Sequence, residues 1–246
     1  MIMVSPTGAR LTRADHFALP MTIPDIVETT RACAANGADA LHLHVRDREG
    51  RHSLDTGLYK EALAAIDAEL PGFPVQITTE AAGRYTPEAQ CALLENLAPR
   101  WASISLREIL PEPALARRVY DLCRHNGTEI QHIVFDTDDI ETLRMWQAKG
   151  VLSDQESVIL VLGRYGDRHP ARPSDLDPLL DRLPPVKRWM VCAFGPAEHA
   201  CLRYAFGLGG DVRVGFENST TDEDGTPWPD VQSSVRSLCT ELRQSA

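Results

Sequence analysis

No stretch of this chain is apolar over the roughly 20 residues that a bilayer-crossing helix requires, so a membrane-spanning protein is not expected. Met1-Ile2-Met3-Val4-Ser5-Pro6 is too short to form the apolar core of a signal peptide. Basic charge is in deficit: 25 Lys and Arg stand against 35 Asp and Glu, a net charge of −10. Nucleic acid and anionic membrane surfaces are repelled by such a balance, so neither is expected as a partner, while a local arginine cluster can still hold a small anion. The six cysteines (Cys33, Cys91, Cys123, Cys192, Cys201 and Cys239) form no C-x-x-C pair, and we read them as reduced thiols of a cytoplasmic protein. Low-complexity tracts, short-period repeats and long linkers are absent, and Glu198-His199 does not extend into H-E-x-x-H. The 246 residues are therefore expected to form one domain spanning 1–246.

What the chain does contain is alternation. Apolar strand-like runs at 2–5, 40–45, 75–79, 101–106, 129–135, 158–162, 188–193 and 212–216 are separated by helical patterns. The helices carry start and stop residues: Thr22 with Pro24 in the first turn and a stop at Asn36-Gly37; Asp55 or Ser53; Thr86-Pro87; Pro113 to Asn126-Gly127; Asp138 or Asp139 to Lys149-Gly150; Pro196; and Asp230. A shorter helix is expected at 174–183. Eight strand–helix units fit a closed (β/α)8 TIM barrel better than an open doubly wound sheet. The polar segment 8–21 would then cover the barrel mouth, and the glycine-rich stretch at 206–210 would turn at the opposite end.

Barrel active sites lie at the C-terminal ends of the strands. His42 and His44 end strand two, and as residues i and i+2 their imidazoles face the same side. Two such imidazoles make two thirds of a three-ligand metal site, or else a hydrogen-bonded polar layer. Glu217, following Arg213 and Gly215 on strand eight, can approach them across strand one and complete a His2Glu set; the alternative is an ion pair of Glu217 with Arg213 or Arg46. Thr78 and Glu80 end strand three, and Ser105 ends strand four. Arg46 is a candidate clamp for a substrate carboxylate. Gly195 and Ser219, after strands seven and eight, lie where barrels often bind phosphate and are candidates to hold one. His16, His52, His125, His132, His169 and His199 have no partner of metal-ligand spacing.

His42-Leu43-His44-Val45-Arg46-Asp47, with Gly50 and Leu54-Asp55 following, resembles the signature of the β-keto acid cleavage enzymes, zinc-dependent barrels once catalogued as a domain of unknown function. Arg213-Val214-Gly215-Phe216-Glu217-Asn218 resembles that family's second signature. Weaker matches lie at Thr7-Gly8-Ala9, Leu19-Pro20-Met21-Thr22, Val75-Gln76-Ile77-Thr78-Thr79, Phe135-Asp136 and Val161-Leu162-Gly163, so the resemblance spans nearly the whole chain. It implies Zn2+ held by His42, His44 and Glu217, with Arg213 beside the metal and Thr78 on the keto acid. The implied reaction joins a 3-keto acid to acetyl-CoA and yields acetoacetate and a new acyl-CoA, in a homodimer or homotetramer.

Three departures from the family pattern fall at the chemistry. Asn218 stands where the family usually has an aspartate, and an amide cannot take a proton at neutral pH. Arg10 stands in place of a usual glutamate, which disfavours an amine-bearing substrate. Glu80-Ala81 replaces two glycines, so Glu80 either serves as a substitute base or pairs with Arg10 or Arg107. Alternative functions are a CoA-independent metal-dependent lyase, aldolase or hydrolase on an oxo acid, and a non-catalytic barrel that binds a metal or metabolite.

Overall fold

A helix begins where a side chain can satisfy the free N–H groups of its first turn, and this chain supplies such side chains between its strands. The computed structural model describes residues 1–153, 156–164 and 170–244. After β1 (Ile2–Val4), Thr22 and Asp25 close a reciprocal capping box over α1 (Ile23–Ala35), which carries Pro24 early and stops at Asn36. β2 (Ala40–Leu43) follows, and then a two-stranded hairpin of β3 (Val45–Arg46) and β4 (His52–Ser53). Asp55 caps α2 (Thr56–Glu69), which leads into β5 (Val75–Thr78). Thr86 caps α3 (Pro87–Leu97) ahead of β6 (Trp101–Ser105). A single turn, α4 (Leu106–Ile109), precedes α5 (Pro113–Asn126) and β7 (Glu129–Val134). Asp136, not Asp138 or Asp139, caps α6 (Thr137–Ala148), because its carboxylate accepts from both of those backbone amides. The rest comprises β8 (Ser157–Leu162), a 3-10 turn Pro173–Leu176 running into α7 (Asp177–Leu180), β9 (Arg188–Ala193), α8 (Glu198–Gly207), β10 (Asp211–Val214) and α9 (Val231–Gln244).

Parallel strands must be joined by crossovers, and here each crossover carries helix to the outside. The strands close in the order β1-β10-β9-β8-β7-β6-β5-β2, every neighbouring pair parallel, and β2 returns to β1. The fold is a (β/α)8 TIM barrel. β8 is buried at every position, as a strand with the barrel interior on one face and helices on the other must be. Met3, Ala40, Ile159, Val161, Met190 and Cys192 pack together as an apolar cluster separate from the larger core between strands and helices.

Two differences from the sequence expectation shape the site. The expected strand 40–45 breaks at His44, where the chain leaves the barrel and enters the hairpin whose register opposes Arg46 to His52. The expected strand 212–216 ends at Val214, and Glu217 sits in a turn closed by Asn218 N and Ser219 N on Gly215 O. In both places apolar alternation continues past the last ladder hydrogen bond, so periodicity overruns the strand. The segment after β1 is tied down across the barrel mouth by His16, whose Nε2 donates to Trp228 O at 2.8 Å.

Candidate active site and metal centre

The turn after β10 needs glycine at two places. Gly215 has φ +142°, and a Cβ there would stand 2.5 Å from Ser5 O. Gly8 has φ +62°, and its Cβ would meet Glu217 Cγ at 2.7 Å. Only glycine allows both approaches. With them made, Glu217 N bonds Ser5 O at 3.1 Å and the carboxylate turns inward over β1. His42 Nε2 and His44 Nε2 lie 3.1 Å apart, and Glu217 Oε2 is 3.6 and 3.5 Å from them. All three residues are buried.

The surrounding bonds fix which imidazole nitrogens carry protons. His52 Nε2 faces Glu80 O at 2.8 Å; a carbonyl only accepts, so that nitrogen donates. Burial, and then the neighbouring His44, push His52 down to about 3, so it is neutral and its Nδ1 is an acceptor. His44 Nδ1, 3.4 Å away, therefore donates to it, and the His44 Nε2 lone pair points at Glu217. On the other side Met190 Sδ accepts from Gln131 Nε2, Gln131 Oε1 accepts from Gln76 Nε2, and Gln76 Oε1 accepts from His42 Nδ1 at 2.7 Å. The His42 lone pair is thus also on Nε2. Burial holds His42 well below its ordinary range, with Arg213 adding to the effect, so the imidazole is neutral.

Two imidazole lone pairs and a carboxylate oxygen consequently face one another at 3.1–3.6 Å. Such a set of acceptors is repulsive by itself and matches a small divalent cation. Tetrahedral N and O ligands about 2.0–2.2 Å from zinc stand roughly 3.3–3.5 Å apart, and three protein ligands leave a fourth position open. Glu217 would be raised by its burial, but the Arg213 guanidinium beside it outweighs this and holds its carboxyl well below the usual range. Arg213 Nη2 donates to Glu217 Oε1 at 3.2 Å, so the ion pair and the His2Glu grouping coexist instead of excluding each other.

The grouping opens on a cavity of about 430 Å3 lined by His42, Glu217, Arg213, Thr78, Ser105, Glu80 and Arg10 among others. Seven of the residues expected from sequence thus meet at one place. Thr78 Oγ1 accepts from Glu80 N at 3.0 Å and keeps its own proton to donate. Glu80, a quarter exposed, pairs with Arg10 at 3.5 Å, the compensation anticipated for the charge reversal at Arg10. Arg107 and Arg164 flank the Phe135 ring, and both pair with Asp136.

Four expected residues stand elsewhere. Arg46 does not line the cavity; its guanidinium donates to Gly50 O, Thr7 O and Leu11 O and staples the mouth segment to the hairpin. Asn218 also lies off the cavity wall, with Oδ1 accepting from Ser5 Oγ at 3.0 Å and its carbonyl accepting from Gly195 N. That bond engages the Gly195 N–H, and Ser219 Oγ donates to Thr221 O while accepting Thr221 N. Sequence reasoning missed Gln76 and His52, which orient the two histidines. Gln76 pairs in register with His42 on the adjacent strand, a signal present only once the strands are paired. It also missed Glu108, on the cavity wall. His169 lies outside the described residues.

Comparison with known proteins bears on what this arrangement does. A family model described as beta-keto acid cleavage enzyme matches residues 1–244. The chain is similar to a 3-keto-5-aminohexanoate cleavage enzyme of Acetoanaerobium sticklandii, 27% identical over 237 residues, covering 92% of this chain and 85% of that one. It is also similar to a 3-oxoadipate:acetyl-CoA acetyltransferase of Cupriavidus necator, 26% identical over 261 residues, covering 98% and 88%. Among solved structures, apo ObcA superposes with a TM-score of 0.74 at 18% identity; the match covers 93% of this chain but 62% of that longer chain. Type I 3-dehydroquinate dehydratase of Clostridium difficile gives a TM-score of 0.62 at 11% identity, covering 100% and 92%. At these identities the structural matches show the barrel alone.

Proposed function

Because this chain belongs to the beta-keto acid cleavage enzyme family, we propose that it cleaves a β-keto acid with acetyl-CoA, giving acetoacetate and a new acyl-CoA, at a Zn2+ centre held by His42, His44 and Glu217. The observation that carries this reading is the convergence of two oriented Nε2 lone pairs and Glu217 Oε2 at the wall of a cavity. Bound there, the cation supplies Lewis-acid stabilisation of the negative charge that develops on the β-keto acid. Arg213, beside Glu217, gives a second fixed positive charge facing the substrate carboxylate. Thr78 and Ser105 line the same wall, and their hydroxyls would orient the two carbonyls.

Chemistry begins with loss of the proton on C2, the carbon between the carbonyls. Its electron pair then attacks the acetyl thioester, CoA is carried to the former keto carbon, and the C2–C3 bond breaks. Arg10 on the wall disfavours an ammonium-bearing tail and favours a neutral or anionic one, with Glu80 holding the guanidinium in place. Asn218 has a structural part here, anchoring the Glu217 turn to Ser5 and Gly195. Six buried free thiols suit the reducing cytoplasm, which we propose as its compartment. A homodimer or homotetramer is the assembly implied by the resemblance.

Mass spectrometry of zinc-loaded protein with acetyl-CoA and a panel of 3-keto acids tests the reading. Acetoacetate together with the matching acyl-CoA, lost on chelation, is the expected result. Product formed without consumption of CoA species would favour a metal-dependent lyase or hydrolase, and zinc binding with no product on the whole panel would favour a binding barrel.

A further inference from the structure

The reaction needs a group that accepts the C2 proton, and the residues considered so far do not supply one. Asn218 is an amide lying off the cavity wall. Glu217 is directed at the two histidines and paired with Arg213, so its oxygens are already engaged. Glu80 is tied to Arg10.

Glu108 differs from all of these. It stands on α4 directly after β6, partly buried, and lines the same cavity as His42, Thr78 and Arg213. Its Oε2 accepts from Gln90 Nε2 at 2.6 Å and from Ala81 N at 3.1 Å. Both donors engage Oε2, and the residue itself lines the cavity. Among the described residues no cation forms an ion pair with it. We propose that Glu108 is the proton acceptor of this site, an inference that rests on the reaction proposed above. Its carboxylate takes the C2 proton and becomes a carboxylic acid, while the C–H electron pair moves into the forming enolate; the proton is returned when C2 is reprotonated.

The electrostatics agree. Burial raises the Glu108 carboxyl above its ordinary range; the Ala81 and Gln90 bonds oppose this, Glu80 adds to it and Arg10 subtracts from it. Arg107, Asp136 and Asp139 on the α6 side pair among themselves. A carboxylate with a raised pKa is a better base.

The test is enzyme-catalysed deuterium exchange at C2 in heavy water, without acetyl-CoA, alongside full turnover. Glu108→Gln retains an oxygen to accept from Gln90 and Ala81. Since ionising a carboxyl whose folded pKa is raised costs stability as pH climbs through that pKa, this variant is expected to melt no lower than the parent near neutral pH. Exchange and turnover are expected to fall by about a hundredfold or more, with zinc affinity by chelator competition unchanged. The acid limb of the parent pH–rate profile, above the ordinary carboxylate range, is expected to vanish, and Glu108→Asp to recover part of the rate. Exchange in Glu108→Gln equal to that of an active parent overturns the proposal while leaving the reaction intact. A parent that neither exchanges nor transfers on any 3-keto acid overturns the reaction itself, and the proposal with it.

Discussion

The site depends on which nitrogen of each histidine bears a proton. His52 and Gln76 decide this from outside the His42, His44 and Glu217 grouping: one accepts from His44 Nδ1 and the other from His42 Nδ1, so both lone pairs are delivered toward Glu217. Residues that orient metal-ligating imidazoles set affinity as well as geometry. His52→Ala is therefore expected to weaken zinc binding by about 10- to 100-fold in chelator competition; an unchanged affinity would remove His52 from this role. The sequence made His42 and His44 legible because strand alternation puts i and i+2 on one face. It hid Gln76, whose part depends on the pairing of β2 with β5, and it hid His52, which reaches His44 only through the β3–β4 hairpin. Glu108 was hidden because the expected strand 101–106 ran through what is in fact the start of a helical turn.

Among the elements, the turn after β10 carries the most. Arg213 ends within the strand, whereas Glu217 is delivered by a turn resting on Ser5, Gly8 and Gly215. Replacing Gly215 by Ala puts a Cβ 2.5 Å from Ser5 O at φ +142°, a conformation alanine rarely adopts. The expected cost is on the order of 1–3 kcal/mol in thermal or denaturant unfolding, together with weaker zinc binding because Glu217 must move. Stability and affinity both equal to the parent would contradict this account of the turn. Strand and helix identities were readable from apolar runs bounded by caps such as Thr22, Asp55 and Thr86. Their ends were not, since ladder hydrogen bonds terminate β2 at Leu43 and β10 at Val214 while apolar residues continue.

Over the whole molecule, closure of the strands brings residues far apart in sequence to one rim. β1 lies between β2 and β10, so the histidines and Glu217 meet across a single strand, as the eight-unit pattern anticipated. The acidic net charge of −10 does not carry over to the cavity wall, where Arg10, Arg107, Arg164 and Arg213 stand beside Glu80, Glu108 and Glu217. The proposed reaction makes a demand on carbon connectivity that a hydrolase, a lyase or a binding barrel does not. The most direct measurement is turnover with acetyl-CoA carrying heavy carbon in both acetyl positions, with products read by mass spectrometry. Acetoacetate holding both labelled carbons in its acetyl half, beside an unlabelled new acyl-CoA, is the predicted result. Unlabelled acetoacetate, or label retained in the acyl-CoA, would contradict it.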